Sequence, residues 1–594
     1  MIVPMKKVFI IVQKNEREKA LGRLREAGTL HVQPFGEVID PTSADMHEQL
    51  TRLEKAVTIL QSEQVNLEKT VHQRSCPDPV AAASDILKWE DQIEAIKDDM
   101  MKRQSVITRM KTWGDFDPDI IRDLQNRGIY VLLCECPEQV LQQLPENSGV
   151  HVFNKTAGMV RCMIVSQEKI SLPVDPLPLP ELSMHRMEAR QKKDQKRISE
   201  IKRRVAGSLK YLDAFIKAER ILRAQIKYKE VSNGMLAEEG LLVLKGFCPV
   251  DACPGLTKLA FAEKWGFLTE DPSEDDKIPT LLHNPRWVEL VNPVFNLAGI
   301  TPDYREMDSS PLFMVFFSLF FGILIGDAGY GLLFLIATWY FDRKLRKKVR
   351  DRKVFKLMYI LSAATIIWGV LTGVYFGQAW LSGIVRPLVP WLVEVKNMQM
   401  ICFLIGAVHL SLAHIWRSIL IYPTLSFLSQ VGWALIIWGM FFLARFLILG
   451  LPMGFTAQLL FIIGPILVVF FTKPNKNPLK AMGGGIGELL MNIVNSFSDI
   501  VSYIRLFAVG MATVAVADAF NSIALGVGFG NILTGFMTAL ILVVGHLFNI
   551  VLGAMSILVH GLRLNLLEFS GHMGLSWAGF KYEPFSKQDI QQKK

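Results

Sequence analysis

The chain has 594 residues, half of them hydrophobic, with 65 Lys and Arg against 56 Asp and Glu and a formal charge of +9. Such a length exceeds one domain, and the seven cysteines lack the matching His or Cys pairs of a zinc site, so they read as reduced thiols. The positive charge does not point to nucleic acid: its densest run, DRKLRKKVRDRKVFK (342–356), lies between two apolar stretches, where it reads as a cytoplasmic loop.

The opening MIVPMKKVFIIVQKNERE holds too short an apolar core for a signal peptide, which keeps the front half in the cytoplasm. KVFIIV (7–12) predicts a strand, Leu21, Leu24 and Ala27 a helix stopped by Gly28, and TLHVQPF a second strand. Similar units surround GIYVLLCECPEQVLQQL with VRCMIVS, and GLLVLKGFCPVDACPGLTKLAFAEKWGF. These predict small α/β lobes.

Between the lobes run heptads. Met46, Leu50, Leu53, Val57, Leu60, Leu67 and Val71 keep 4-3 spacing with Gln64 filling one gap. Trp89, Ile93, Ile96 and Met100 form a second run, and Ile198, Ile201, Val205, Ser208 and Leu212 a third. One apolar seam per helix is what a coiled coil requires. With Pro-rich SLPVDPLPLPEL (171–182) before the third helix, the expected form is an antiparallel coiled-coil arm between lobes. Separate amphipathic helices in a globular core are the alternative. No Walker loop, no nucleophile beside a base and no metal constellation occurs here, so the front half transmits force or docks partners.

From Pro311 onward, apolar stretches long enough for transmembrane helices follow one another. They predict about eight spans, near 312–325, 328–341, 357–378, 398–420, 426–449, 455–472, 485–524 and 531–569. The first two flank Gly326-Asp327 as a tight hairpin, and an even number of spans puts both ends inside. The last two exceed the ~20 residues of a perpendicular span and must tilt or project. The expected division is thus 1–305 cytoplasmic arm, 306–575 transmembrane domain and 576–594 cytoplasmic tail.

The last two segments carry ordered polar residues. On the seventh, Glu488, Asn492, Asn495, Asp499 and Ser502 follow 4-3-4-3 spacing, with Arg505 three further on. On the eighth, His546, Asn549, Gly553, Ser556, His560 and Arg563 follow 3-4-3-4-3. Each set shares a helix face. Polar glue between helices accounts for single members such as Asn549, Gly553 and Ser556. Two whole stripes ending in unneutralised arginines read better as the lining of an ion path. Asp327 is expected to pair with an arginine or cap a helix at the hairpin, Asp518 to open to water on the far side, and His409, His414 and Arg417 to lie near an aqueous end. GGGIG (483–487) is no nucleotide loop, since no strand precedes it and no P-loop Lys follows.

The motifs SYIRLFAVGMA (502–512), LVHGLRLNLLEFSGHMGLSWAGFKYEPF (558–585), FFGILIGDAGYG (320–331), GVYFG (373–377) and LLHNPRWVELVNPVFNLAGITPDYREMD (281–308) resemble, over essentially the whole chain, the large membrane stator subunit of V-type and A-type rotary ATPases, called subunit a or I. The resemblance implies that Arg505 is the family's essential arginine and Arg563 its companion. His560 would fall where relatives carry a polar or histidine residue. Asn495 and the Glu488 end of the stripe would line a cytoplasmic half-channel. Asp327, Asp518 and Glu568 stand as structural or auxiliary groups. Eukaryotic relatives carry a carboxylate at the position of Gly553 and a histidine at that of Thr513, so the far-side path here must use other residues or water. The wording is closer to the bacterial and archaeal branch. Between Asp308 and Pro311, Ser309 and Ser310 replace the proline and threonine of the family's usual DPTP.

The implied partners are a rotor ring of proteolipid subunits with buried carboxylates, peripheral stalk subunits, a central-stalk connector and the lipid bilayer. No cofactor and no metal are expected, and the subunit is non-catalytic. The implied setting is a prokaryotic plasma membrane, with the N-terminal half and the C-terminus cytoplasmic. A carboxyl facing lipid stays neutral, and beside a permanent cation it ionises, so Arg505 would mark where each ring site is emptied. A self-sufficient secondary transporter is the alternative, but such folds often show inverted repeats, and no convincing repeat joins spans 1–4 to 5–8. An intramembrane hydrolase lacks its metal triad or activated Ser or Asp pair.

Overall fold

The computed structural model describes residues 1–36, 41–67, 74–137, 141, 148–156, 159–168, 176–346, 349, 351–378, 385–474 and 478–587. The chain divides into two units, Met1–Val8 with Phe247–Pro584, and Phe9–Gly246 with Phe585–Lys594.

Strand β1 (Met5–Gln13) leads to helix α1 (Arg17–Ala27), which ends at Gly28 with φ 60°, and β2 (His31–Gln33) follows. Helices α2 (Pro41–Leu67) and α3 (Pro79–Met110) come next. The start of α3 is written in two residues: the Asp78 carboxylate accepts from the Val80 and Ala81 amides at 3.1 and 3.0 Å, and Pro79 occupies a position with no amide to satisfy. Asp117-Pro118 repeats the device at α4 (Pro118–Asn126). Strands β3 (Tyr130–Pro137), β4 (Gly149–Thr156) and β5 (Met159–Ser166) form an antiparallel sheet in the order β3-β5-β4, with Cys134 opposite Cys162. Helices α5 (Met184–Gly207) and α6 (Leu212–Asn233) precede β6 (Leu236–Glu238) and β7 (Leu241–Pro249).

The heptad residues lie inside. Leu53, Val57 and Leu60 share a buried cluster with Val205 and Leu212, and Ile93 meets Ile198 and Ile201. Thus α2 packs on α6 and α3 on α5. Val71, most of EQVLQQL and the first half of the Pro-rich segment lie outside the described residues, as do the side chains of Gln64 and Leu67.

Helix α7 (Cys253–Ala262), strand β8 (Gly266–Glu270) and helix α8 (Asn292–Ala298) open the other unit. The strands follow β2-β7-β1-β8 in one sheet, with β6 on β7. The C-terminal block is sewn to residues 280–306. The Thr280 amide donates to the Phe580 carbonyl at 2.8 Å, the Tyr582 amide to the Thr280 carbonyl at 3.0 Å, and Ser576 Oγ to Glu306 at 2.6 Å. Two motifs almost three hundred residues apart therefore form one structure. Residues 247–305, expected with the arm, belong to the same unit as the apolar helices.

The apolar helices are α9 (Ser310–Ile325), α10 (Ala328–Lys344), α11 (Lys353–Thr372), α12 (Val395–Ile421), α13 (Phe427–Leu449), α14 (Phe455–Phe471), α15 (Pro478–Ser502), α16 (Ile504–Val527) and α17 (Ile532–Ser556). Among the described residues five helices are long and apolar enough to cross a membrane: α11, α12, α13, the 43-residue run Gly485–Val527 and the 42-residue run Ile532–Met573. Helices α9 and α10 meet at 119°, a broken span or re-entrant loop that raises the number to six if the pair is one span. At 17 residues α14 is shorter. All eight expected segments are helical, but not all reach span length. The two long runs measure ~65 Å by helical rise, about twice a hydrocarbon core.

The break before α10 has a clear cause. Gly326, at φ 67°, takes a left-handed turn that a side chain disfavours. Asp327, 1% exposed, then caps α10: one carboxylate oxygen accepts from the Gly329 and Tyr330 amides at 2.7 and 3.1 Å, the other from the Gly377 amide at 2.8 Å. It is a cap and meets no arginine among the described residues. Helix α11 presses Gly369 against this turn so closely that a Cβ there would lie 2.0 Å from the Ala328 nitrogen.

Candidate functional site

Arg505 lies in the first turn of α16, past a turn at Tyr503 that separates it from α15. Tyr503 is fully buried and bonds His409 Nδ1 at 2.8 Å. His409 is itself stacked between Phe316 and Phe569, with ring centroids 3.8 and 4.2 Å away. His409 thus anchors the turn that presents Arg505. Arg505 Nε donates to the Ser502 carbonyl at 3.0 Å and Nη2 to Glu568 Oε1 at 2.5 Å. Arg563 Nε lies 3.5 Å from the same oxygen. The arginines expected to be unneutralised therefore share a buried carboxylate, 4% exposed. Arg505 keeps 22% of its side chain open, and Glu568 Oε2 is buried with no hydrogen-bond partner among the described residues.

Local winding makes this contact. After Ser556 the helix turns π-helical over Ile557–Gly561 and Leu564–Phe569. In an α-helix, residues five apart point ~140° away from each other. A π turn bonds i to i+5 and brings Arg563 and Glu568 toward one side. Ser556 turns its hydroxyl to the Leu552 carbonyl at 2.8 Å, and His560 Nδ1 is buried without a partner among the described residues.

The other stripe lines a cavity of about 290 Å³, walled by Glu488, Asn492, Asn495, Ser496 and Asp499 of α15, His414 and Arg417 of α12, Gln430, Trp433, Gly571 and His572. A hydrogen-bonded file crosses its wall: Asp499 Oδ2 to His572 Nε2 at 3.1 Å, His572 Nδ1 to His414 Nε2 at 2.9 Å, His414 Nδ1 to Gln430 Oε1 at 2.9 Å. With Gln430 Oε1 accepting, His414 donates from Nδ1 and accepts at Nε2, so His572 donates from Nδ1. The remaining contact then needs a proton between His572 and Asp499, because neutral imidazole has one N–H and carboxylate none. The file can hold and pass a proton. Asp499 lies ~9 Å of helical rise before Arg505.

Three groups thus emerge. Glu488, Asn492, Asn495 and Asp499 meet in the cavity. Arg505, Arg563 and Ser502 meet near Glu568. His546 and Asn549 meet at Tyr330, with His546 Nδ1 2.7 Å and Asn549 Nδ2 3.0 Å from its hydroxyl. Asp518 is half-buried further along α16. Sequence reasoning missed His572, Ser496 and the bond to Glu568. A histidine four residues after Glu568 was the available signal.

No family model matches the chain. It is 30% identical over 630 residues to "V-type ATP synthase subunit I 1" of Treponema pallidum (strain Nichols), covering 99% of this chain and 100% of that protein. It is 29% identical over 632 residues, with the same coverage, to "V-type ATP synthase subunit I" of Borreliella burgdorferi. It is 30% identical over 341 residues to "A-type ATP synthase subunit I" of Pyrococcus abyssi, covering 54% of this chain and 50% of that one. A solved cytoplasmic N-terminal domain of subunit I, homolog of subunit a, of V-ATPase covers 45% of the chain at 14% identity and TM-score 0.21, which carries no argument about the fold.

Proposed function

Because the chain belongs to the subunit I family of V-type and A-type ATP synthases, we propose that it is the non-catalytic membrane stator of a rotary ATPase, passing protons or sodium ions against a turning ring of carboxylate-bearing subunits. The observation that carries this reading is the state of Arg505. Its bonds to Ser502 and Glu568 use two of its five N–H donors, and the side chain is partly open. The remaining three donors suit a second carboxylate, brought by the ring. Glu568 is the counter-ion that holds the guanidinium in place between ring sites.

The surface beside Arg505 supports the same reading. Ala508, Ala512, Ala515 and Ala519 follow it at 3-4-3-4 spacing and are exposed, and such small residues let another helix approach closely. A ring carboxyl in lipid is neutral and ionises beside the fixed cation. The cavity at Glu488, Asn492, Asn495 and Asp499 would serve as the cytoplasmic half-channel, with the Asp499–His572–His414 file moving protons at its inner end. A second, offset half-channel on the other side makes the ion ride the ring. Each charge then crosses a drop worth about 2.3 kcal/mol per 100 mV. The helices of residues 41–233 would form the arm that peripheral stalk and central-stalk connector subunits hold against torque, with the arm and the C-terminus cytoplasmic.

Cross-linking tests the ring contact. In the intact complex, Ala512→Cys paired with a cysteine on the outer helix of a ring subunit is expected to form a disulfide that stops ATP-driven transport and is reversed by reductant. Absence of any such cross-link, scanned along the outer helix, would remove the ring from this face.

A further inference from the structure

Away from the ion path, among the helices of residues 41–233, a cavity of about 430 Å³ opens between α3, α5 and the Pro-rich segment that precedes α5. We propose that this cavity binds a small soluble phosphate ester whose uncharged body is apolar or aromatic.

Lys102, Arg103, Val106 and Arg109 of α3 form one wall, Arg190 of α5 another, and residues 178–182 a third. Lys102, Val106 and Arg109 keep 4-3 spacing and so share a helix face. The third wall is held in place. The Leu177 amide donates to the Leu133 carbonyl at 2.7 Å and Arg122 Nη2 to the Pro180 carbonyl at 3.1 Å, while Leu179 packs on the cluster of Met110, Trp113 and Leu133. The cavity is therefore preformed, and its volume falls within the ~300–1,000 Å³ of small-molecule pockets.

Its cations call for an anion. Arg103 is already bound to Asp194 at 2.7 Å, with both side chains largely covered. Lys102, Arg109 and Arg190 hold no ion pair among the described residues. The Arg103–Asp194 and Gln191–Gln104 bonds set the antiparallel register of α3 and α5. That register puts Arg190 about level with Val106, ~4.5 Å of helical rise from Arg109. Two guanidiniums thus enter one cavity from neighbouring helices, and a phosphate between them would accept from both forks. The carboxylates of the wall, Asp99 and Glu181, form no ion pair among the described residues, and Asp99 is ~15 Å of rise from Arg109. Val106, Leu179, Leu182 and Met187 add apolar surface beside the cations, which inorganic phosphate alone would leave uncovered. A merely solvated basic face needs no such surface.

Lys102 can report occupancy. In the full complex, pyridoxal phosphate, an aromatic phosphate ester carrying an aldehyde, forms an imine with a lysine amine, and borohydride fixes it for mass analysis of the peptides. Labelling of Lys102 should saturate at a concentration at least tenfold below that for Lys97 and Lys111, which are exposed on either side of it. Phenyl phosphate should protect Lys102 and neither of the others, and inorganic phosphate should need at least tenfold more. Arg109→Ala combined with Arg190→Ala should abolish the preference for Lys102. Labelling of Lys102 indistinguishable from that of Lys97 and Lys111, or unchanged by the two substitutions, would overturn the site. Equal protection by inorganic phosphate would do the same, marking an adventitious ion only. Protection by phosphatidylglycerol vesicles but not by phenyl phosphate would give the cavity to a membrane lipid and overturn the soluble ligand. If the double variant does not assemble, Arg190→Glu is read by the same criteria.

Discussion

A guanidinium within an apolar helix costs about 2.5–3.5 kcal/mol on insertion scales, and it cannot escape by losing its proton. Glu568 meets that charge, but one carboxylate between two arginines leaves the group net positive, and one of its oxygens has no partner among the described residues. The site is therefore stable while still attractive to another anion. Glu568→Gln keeps the volume and removes the charge. Breaking a buried pair costs roughly 3–5 kcal/mol, so the variant should lower the thermal stability of the membrane sector and the amount of chain recovered in the complex. Unchanged recovery and melting would mean that the pair is dispensable. Arg505 was legible in the sequence because a charge inside an apolar run stands out by itself. Its bond to Glu568 was not, because the two are 63 residues apart and the π winding that turns Glu568 inward has no simple sequence mark.

At the scale of elements, periodicity identified faces and not partners. The 4-3 pattern of Glu488, Asn492, Asn495 and Asp499 correctly gives one wall of a cavity. The opposite wall comes from α12, α13 and the segment after Glu568, which no spacing rule links to it. The heptads likewise mark the buried sides of α2, α3 and α5, while the pairing of α2 with α6 had to come from the fold. The break at Gly326-Asp327 was legible from its residues, yet the need for Gly369 beside it was not. Gly369→Ala tests that packing. A methyl group 2.0 Å from the Ala328 nitrogen meets backbone that cannot swing aside, and overpacking of this kind typically costs about 1–3 kcal/mol. The variant should displace α11 from α10, loosening the Asp327 cap. Transport per assembled complex should fall; a wild-type rate would show that the turn tolerates displacement.

Across the whole molecule, hydropathy alone separated a charged front from an apolar back, since only a membrane asks for apolar runs of that length. Residues 247–305 share the polar composition of the front, yet Thr280 and Thr301 take part in backbone bonds with the C-terminal block. Those bonds, between Thr280 and Tyr582 among others, are invisible to composition because amide pairing takes no account of side-chain polarity. On the proposed function, one fixed cation makes each passing ring carboxylate release its ion, so that ion flow and rotation are a single process. The most direct measurement is ATP-driven ion accumulation in vesicles carrying the complex with Arg505→Ala. Accumulation is expected to fall to background while the other subunits remain bound; accumulation at the wild-type rate would rule out Arg505 as the coupling cation.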